Sequence, residues 1–315
     1  MLSLFMPKMA MDPVKVMGIE FPNRVGLAAG MDKEANTIDA FGQMGFGFVE
    51  VGTLTPRPQP GNDRPRLFRL VEQHALINRM GFNNHGIESG VLNVGMRRSK
   101  KTVVGVNIGK NKVTPNEKAA QDYLACLRAA WPVADYIAIN LSSPNTPGLR
   151  ALQEADSAAR LLATLKAEQE NLSIEKGHYV PLALKVAPDL SDEEIKSLSQ
   201  VFLDGGLDCL IATNTTLDRE AVRNNPRHTE AGGLSGTPLT KRSTEVVSAF
   251  HSYLGSKLPI IGVGGIMTGE DAVDKLKAGA SLIQLYTGFI YKGPALISEC
   301  VEKMRAYTDG LTVVR

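Results

Sequence analysis

A chain of 315 residues, 43% hydrophobic and 22% charged, has the make-up of a soluble globular protein with a full-sized core. It is long enough for two average domains or for one α/β barrel. Its 35 Lys+Arg against 33 Asp+Glu leave a formal charge of +2, which excludes the broad basic field that nucleic-acid binding uses. The three cysteines, Cys126, Cys209 and Cys300, form no CxxC pair, so neither a disulfide framework nor a zinc site is expected and a reducing cytoplasm fits. No apolar run reaches the roughly 18 residues of a spanning helix, and none follows a basic start as in a signal peptide.

The chain opens with an odd segment. Met1, Met6, Met9, Met11 and Met17 crowd the first 17 residues beside Leu2, Leu4 and Phe5. Two readings stand: a loosely packed arm, or part of an apolar, membrane-touching element.

Eight apolar, β-rich runs follow, at 24–29, 47–53, 103–109, 136–142, 182–187, 208–215, 259–265 and 282–288. Near-continuous apolarity marks strands covered on both faces, as in a parallel sheet. Helical patterns lie between them. Residues 151–168 carry apolar positions at helical spacing. Residues 191–203 open with Ser191 and Glu194, and 268–278 with Thr268 and Asp271, both capping-box spacings. Eight alternations of strand and helix predict one (β/α)8 TIM barrel of the α/β class. Two connections exceed what the fold needs: 54–101, with the turn-rich PRPQPGNDRP and a candidate hairpin of LFRL with ALIN, and 217–242. After strands 2 and 6 they fall on the rim where barrel active sites are built.

The strand ends are polar: Lys33, Thr53, Asn107, Asn140, Lys185, Thr213–Asn214–Thr215, Gly264–Gly265 and Tyr286–Thr287–Gly288. Any one could cap the next helix, but eight together describe a pocket for an extended polar ligand. GVGGI and YTGF end strands 7 and 8, where barrels commonly bind phosphate on backbone N–H groups. No GxGxxG opens a βαβ unit, so a Rossmann site is not expected. Lys185, inside the otherwise uncharged LALKVA, either snorkels outward or enters the site, where a cation suits a ligand that becomes anionic in turnover, as a reduced flavin does. Asn78, Asn107, Asn140, Asn145 and Asn214 offer amide donors and acceptors that complement a cyclic imide or ureide. NLSSPNTPG, from Asn140 to Gly148, is either ordinary turn chemistry or a rigid loop whose serine acts through a relay such as Thr146 or a water.

AAGMDK, GTLTPRPQPGND, PRLFRL, INRMGFNN, NIGKNK, NLSSPNTPGLR, KVAPDLS, ATNTT, GGLSG, GVGGI and YTGF occur in that order. Together they resemble class 2 dihydroorotate dehydrogenases over roughly residues 17–300, and serine rather than cysteine in the SSPN block separates them from class 1. The resemblance implies oxidation of (S)-dihydroorotate to orotate in pyrimidine synthesis, with FMN as acceptor and a quinone as final acceptor. It implies FMN contacts at Ala29, Gly30, Met31, Asp32, Lys33, Thr53, Asn107, Asn140, Lys185, Thr213, Gly236, Gly264, Gly265, Tyr286 and Thr287. Substrate contacts would be Lys33, Asn78, Arg79, Met80, Gly81, Phe82, Asn140, Asn145, Asn214 and Thr215. Ser143, Thr146 and Phe82 are the implied catalytic set, with Ser143 as base, and no metal is implied. Arg69 and Tyr286 resemble residues at the end of the family's quinone tunnel.

Class 2 members carry an N-terminal helical extension that forms this tunnel and touches the membrane. Here about 16 residues precede MGIEF, so residues 1–16 are expected to be a short remnant arm and 17–315 the FMN-binding barrel. The resemblance implies peripheral contact with the cytoplasmic side of the cell membrane, or a soluble cytoplasmic enzyme if the short arm is genuine. The rival readings are a class 1-like enzyme reducing fumarate or NAD, and a non-catalytic barrel that binds flavin or a phosphorylated ligand.

Overall fold

The computed structural model describes residues 10–313; residues 1–9, with most of the methionine-rich segment, lie outside the described residues. Eight strands close into a parallel barrel. They are β1 (Val25–Leu27), β2 (Phe48–Leu54), β3 (Val103–Ile108), β4 (Tyr136–Asn140), β5 (Leu182–Val186), β6 (Cys209–Ala212), β7 (Ile260–Val263) and β8 (Leu282–Leu285). Each pairs with its successor, and β8 returns to β1. Every run expected from the sequence contains one of these strands, and β2 extends one residue further.

The strands alternate with period two. Val49 and Val51 of β2, Ile137 and Ile139 of β4, and Leu184 and Val186 of β5 join the apolar layer beneath the helices. Phe48, Tyr136, Ala138 and Ala183 fill a second cluster inside the barrel. Large and small residues match there. A Cβ on Gly26 would lie 2.2 Å from the Phe48 ring, and one on Gly105 would lie 2.1 Å from the Tyr136 ring. Glycine at these two positions therefore admits the Phe48 and Tyr136 rings.

An antiparallel hairpin, Val14–Val16 with Ile19–Phe21, adds Val16 and Phe21 to the interior cluster. The Phe21 ring meets Phe48 edge-on at 5.2 Å, which plugs the barrel at the N-terminal end of its strands. This hairpin runs across the boundary expected between residues 16 and 17. Residues 14–16 pack with the barrel because their apolar side chains alternate onto its floor.

Both capping boxes form, Ser191 with Glu194 and Thr268 with Asp271. The helix expected at 151–168 is shifted. Leu149–Gln153 is a short 3-10 turn, and the α-helix is Ala155–Lys176. Extended backbone at Glu154 separates the two, and Gly177, at φ +71°, ends the helix.

The hairpin of Leu67–Leu70 with Ala75–Asn78 forms as expected, and Gly233–Gly236 from the other long loop pairs with its second strand. The two rim loops are thus one three-stranded sheet over the barrel mouth. Phe68, Leu70, Ala75, Ile77, Val222 and Leu234 form the apolar cluster that holds it. No helix among the described residues is long and apolar enough to cross a membrane.

Gly105→Ala should destabilise the barrel by about 1–3 kcal/mol, the usual cost of forcing a methyl into a filled interior. The expected result is a lower urea midpoint at unchanged slope; an unchanged midpoint would show that the Tyr136 ring has room to move.

Candidate active site

The alternation that packs the barrel also turns polar residues inward near the C-terminal strand ends. Glu50 of β2 is fully buried. Its carboxylate accepts hydrogen bonds from Asn107 Nδ2 at 2.8 Å, Tyr136 Oη at 2.9 Å and Gln284 Nε2 at 2.7 Å. Asn107 Oδ1 in turn accepts from Thr53 Oγ1 at 2.5 Å. Asn140 Nδ2 donates to Thr53 Oγ1 at 3.1 Å. Asn214 Nδ2 reaches Asn140 Oδ1 at 3.3 Å and Ser142 Oγ at 2.9 Å. A connected polar floor thus spans β2, β3, β4 and the loop after β6.

Above this floor is an open-mouthed cavity, lined by residues from the strand ends and the rim loops. The loop after β1 contributes Ala29, Gly30 and Lys33, and the strand ends contribute Thr53, Asn140, Lys185, Thr213, Asn214 and Thr215. Ser143 and Asn145 enter from the loop after β4. Asn78, Met80, Gly81 and Phe82 enter from the rim sheet and the turn that follows it, as does Gly236. Gly264, Gly265, Tyr286 and Thr287 close one end, where the backbone N–H groups of Gly265 and Thr287 have no acceptor among the described residues.

Residues 11–307 match the family described as Dihydroorotate dehydrogenase. The chain belongs to the dihydroorotate dehydrogenase family. A relative from Akkermansia muciniphila, named Dihydroorotate dehydrogenase (quinone), is 70% identical over 97% of this chain and 88% of its own length. Another of the same name from Chromobacterium violaceum is 56% identical over 95% of this chain and 86% of its own. The crystal structure of a dihydroorotate dehydrogenase from Eimeria tenella in complex with ferulenol superposes with a TM-score of 0.89 at 41% identity, covering 96% of this chain and 85% of that one.

Five of the site residues expected in this family member do not line the cavity. Asn107 lies beneath it, in the floor network. Asp32 turns its carboxylate to the backbone N–H groups of Asn36 and Thr37 and so shapes the loop that carries Lys33. Met31 packs on the outer apolar layer. Arg79 is drawn away by Glu230 at 2.7 Å and stacks on Phe68. Thr146, in the same loop as Ser143, is buried, and its hydroxyl has no hydrogen-bond partner among the described residues. Arg69 lies over the Tyr291 ring at 4.2 Å, also outside the lining.

Three contributors escaped the sequence reading: Glu50 in the floor, and Gln284 and Ser235 in the wall. The first two carried a signal, since Glu50 in FVEVGTL and Gln284 in LIQL each interrupt an apolar strand, as Lys185 does.

Lys185 faces into the barrel, so the outward-snorkelling alternative fails. It is 5% exposed and has no hydrogen-bond partner among the described residues. Burial lowers its pKa, while Glu50 opposes the shift. Lys33 at the mouth is likewise without a hydrogen-bonded partner among the described residues. Burial, with a smaller push from Arg66, lowers its pKa to about 8. Ser143 Oγ accepts the Asn145 N–H at 3.2 Å, and its own proton has no acceptor among the described residues.

If Lys33 receives a ligand carboxylate, it does so as the cation, below its pKa of about 8. Raising the pH through 8 removes that proton and the attraction with it. The dissociation constant for orotate should therefore climb by up to about tenfold per pH unit above 8. Lys33→Met should bind more weakly and lose this slope. Titrations at pH 7 to 10 check this, and parallel pH profiles for the two proteins would remove Lys33 from carboxylate recognition.

Proposed function

We propose that the chain oxidises (S)-dihydroorotate to orotate, with FMN as its flavin and a quinone as final electron acceptor, in pyrimidine biosynthesis. One observation carries the reading beyond family membership. Asparagine amides, the Ser143 hydroxyl and the Lys33 ammonium converge on one cavity whose far end presents unpaired backbone N–H groups.

The donor set fits a phosphorylated flavin. The N–H groups of Gly265 and Thr287 suit a single phosphate, the group that FMN carries. Lys185, Asn140, Thr53 and Thr213 would hold the ring system, and the buried, unpartnered Gln284 Oε1 offers an acceptor from the wall. When bound, the flavin supplies the acceptor for the substrate's C6 hydrogen and its electron pair, which it passes on to the quinone.

The chain's own residues do the rest. Lys33 pairs with the substrate carboxylate. Asn78, Asn145 and Asn214 satisfy the N–H and C=O edges of the ring, which fixes its orientation. Ser143 takes the proton from C5. As a neutral hydroxyl it must pass its own proton onward, and with Thr146 making no hydrogen bond to it the relay falls to water in the cavity. Phe82, 8% exposed, gives the reacting face an apolar wall. Lys185 holds positive charge toward the ring, where it opposes the charge that builds up on reduction. Arg79 and Met31 have no direct part in this scheme.

The quinone dissolves in the membrane, so the acceptor favours peripheral contact there over a purely soluble enzyme. Exposed Leu67, Val71 and Leu217 on the rim sheet and its loop support such contact. Residues 17–315 act as one FMN-binding barrel in this reading.

Anaerobic mixing with dihydroorotate should bleach the yellow protein, and a quinone should restore the colour faster than fumarate or NAD. Restoration by fumarate or NAD alone would favour the class 1-like reading, and no bleaching at all would favour a binding protein. Released flavin should migrate as FMN. Ser143→Ala should stay folded and yellow yet bleach at least about a hundredfold more slowly, the share a general base supplies. Wild-type bleaching should quicken as pH rises and the variant should lose that dependence, whereas Ser143→Cys, with its more acidic thiol, should keep part of the rate near neutrality. Wild-type speed in Ser143→Ala across the range would place the base elsewhere.

A further inference from the structure

We infer that Lys275 is a positioning residue for the cofactor phosphate: a buried cation one layer behind the Gly264–Gly265 turn that holds the turn in place and offsets the phosphate charge. The inference rests on the FMN reading above.

Lys275 belongs to the helix Gly269–Lys277 and has no solvent exposure. Its stem lies against the back of β7, where a Cβ on Gly262 would come within 3.3 Å of both its Cβ and its Cδ. Its Nζ donates to Ser243 Oγ at 2.6 Å and Thr244 Oγ1 at 2.5 Å, and approaches the Thr240 carbonyl at 3.4 Å. All three acceptors sit at the start of the helix Thr240–Leu254, and all are neutral.

The nearby carboxylates are engaged elsewhere. Asp271 accepts from the Met267 and Thr268 N–H groups and the Thr268 hydroxyl, and Asp274 pairs with Lys277. Burial accordingly pushes Lys275 down to about 7, with Asp271 and Asp274 opposing from a distance. A buried ammonium served only by neutral oxygens is costly. For stitching two helices together, an apolar side chain of the same length would serve at less cost.

What the lysine adds is direction. Ser243 Oγ, which it grips, donates to the Gly264 carbonyl at 2.8 Å. Thr240 Oγ1 donates to the Gly265 carbonyl at 2.6 Å. Both turn carbonyls are thereby held back, away from the cavity, while the Gly265 N–H remains without an acceptor. The anion this cation lacks is the one that the turn is shaped to receive. In the low-dielectric interior its charge acts on a phosphate across the turn without touching it.

The test compares two ligands that differ only by the phosphate. Dissociation constants for FMN and for riboflavin are measured by flavin fluorescence on the flavin-stripped full chain. Wild type should prefer FMN strongly; no preference would overturn the phosphate placement and the FMN reading with it. Lys275→Met should weaken FMN at least about tenfold and leave riboflavin within about twofold. Equal losses for both ligands, or no loss, would reduce Lys275 to packing while leaving the FMN reading intact. Should Lys275→Met fail to fold, Ser243→Ala decides, since it keeps the charge but cuts the link to the turn. A narrowed FMN-to-riboflavin ratio supports the role, and an unchanged ratio overturns it.

Discussion

The carboxylate of Glu50, fully buried at the centre of the barrel, is the constraint around which the upper half of the molecule is organised. A desolvated carboxylate is tolerated only when its lone pairs are satisfied, and three donors from three other strands do so: Asn107, Tyr136 and Gln284. Each donor is thereby fixed in rotamer and direction. Asn107 passes the constraint to Thr53 and Asn140, and Asn140 to Asn214. Below this layer the barrel is closed by rings, Phe21, Phe48 and Tyr136; above it the interior is open and polar. The cavity floor is thus the upper surface of a buried charge network rather than a gap in the packing, and it is preorganised for the same reason that it is stable.

The architecture was legible because a doubly covered strand has few ways to be written. Apolar runs of six to eight residues alternating with helical patterns leave the closed parallel barrel as the economical solution. The rim sheet was half legible. LFRL and ALIN pair across a short turn, but the third strand, Gly233–Gly236, comes from more than 150 residues away. Its two glycines and a serine carry no strand signal. Glycine is required at 236, where φ is +95° and a Cβ would lie 2.2 Å from the His74 carbonyl; close approach, which no local pattern reports, decided it.

The site was legible where residue type and chemistry coincide and illegible where direction matters. Lys33, Lys185, Asn78, Asn140, Asn145 and Asn214 all reach the cavity. Asp32 and Arg79, embedded in equally telling motifs, turn away because nearer partners claim them: backbone N–H groups for Asp32 and Glu230 for Arg79. A motif locates a loop, but competition among hydrogen bonds decides which of its side chains faces the ligand. Glu50 was missed although its signal matched that of Lys185, a charge inside an apolar strand. The two interior positions are coupled: Glu50 counteracts the depression of the Lys185 pKa.

Position relative to the cavity, rather than burial, sets the buried lysines apart here. Lys110 is buried, yet it donates to the Thr114 and Asn111 carbonyls, with Asp122 and Glu117 as compensating charges; its role is complete within the fold. Lys33, Lys185 and Lys275 are different. As at Lys110, burial lowers the pKa of each, but Lys33 and Lys185 line the cavity with no hydrogen-bond partner among the described residues, and Lys275 lies just behind one of its turns. They stand at the mouth, above the floor and behind the Gly264–Gly265 turn of one cavity. On the proposed function each faces a different negative charge: the substrate carboxylate, the reduced ring and the phosphate. A fold that leaves three cations undercompensated around one space gives up stability in the ligand-free state, and ligand binding restores it. The same desolvation that lowers the three pKa values strengthens each attraction once its anion is in place.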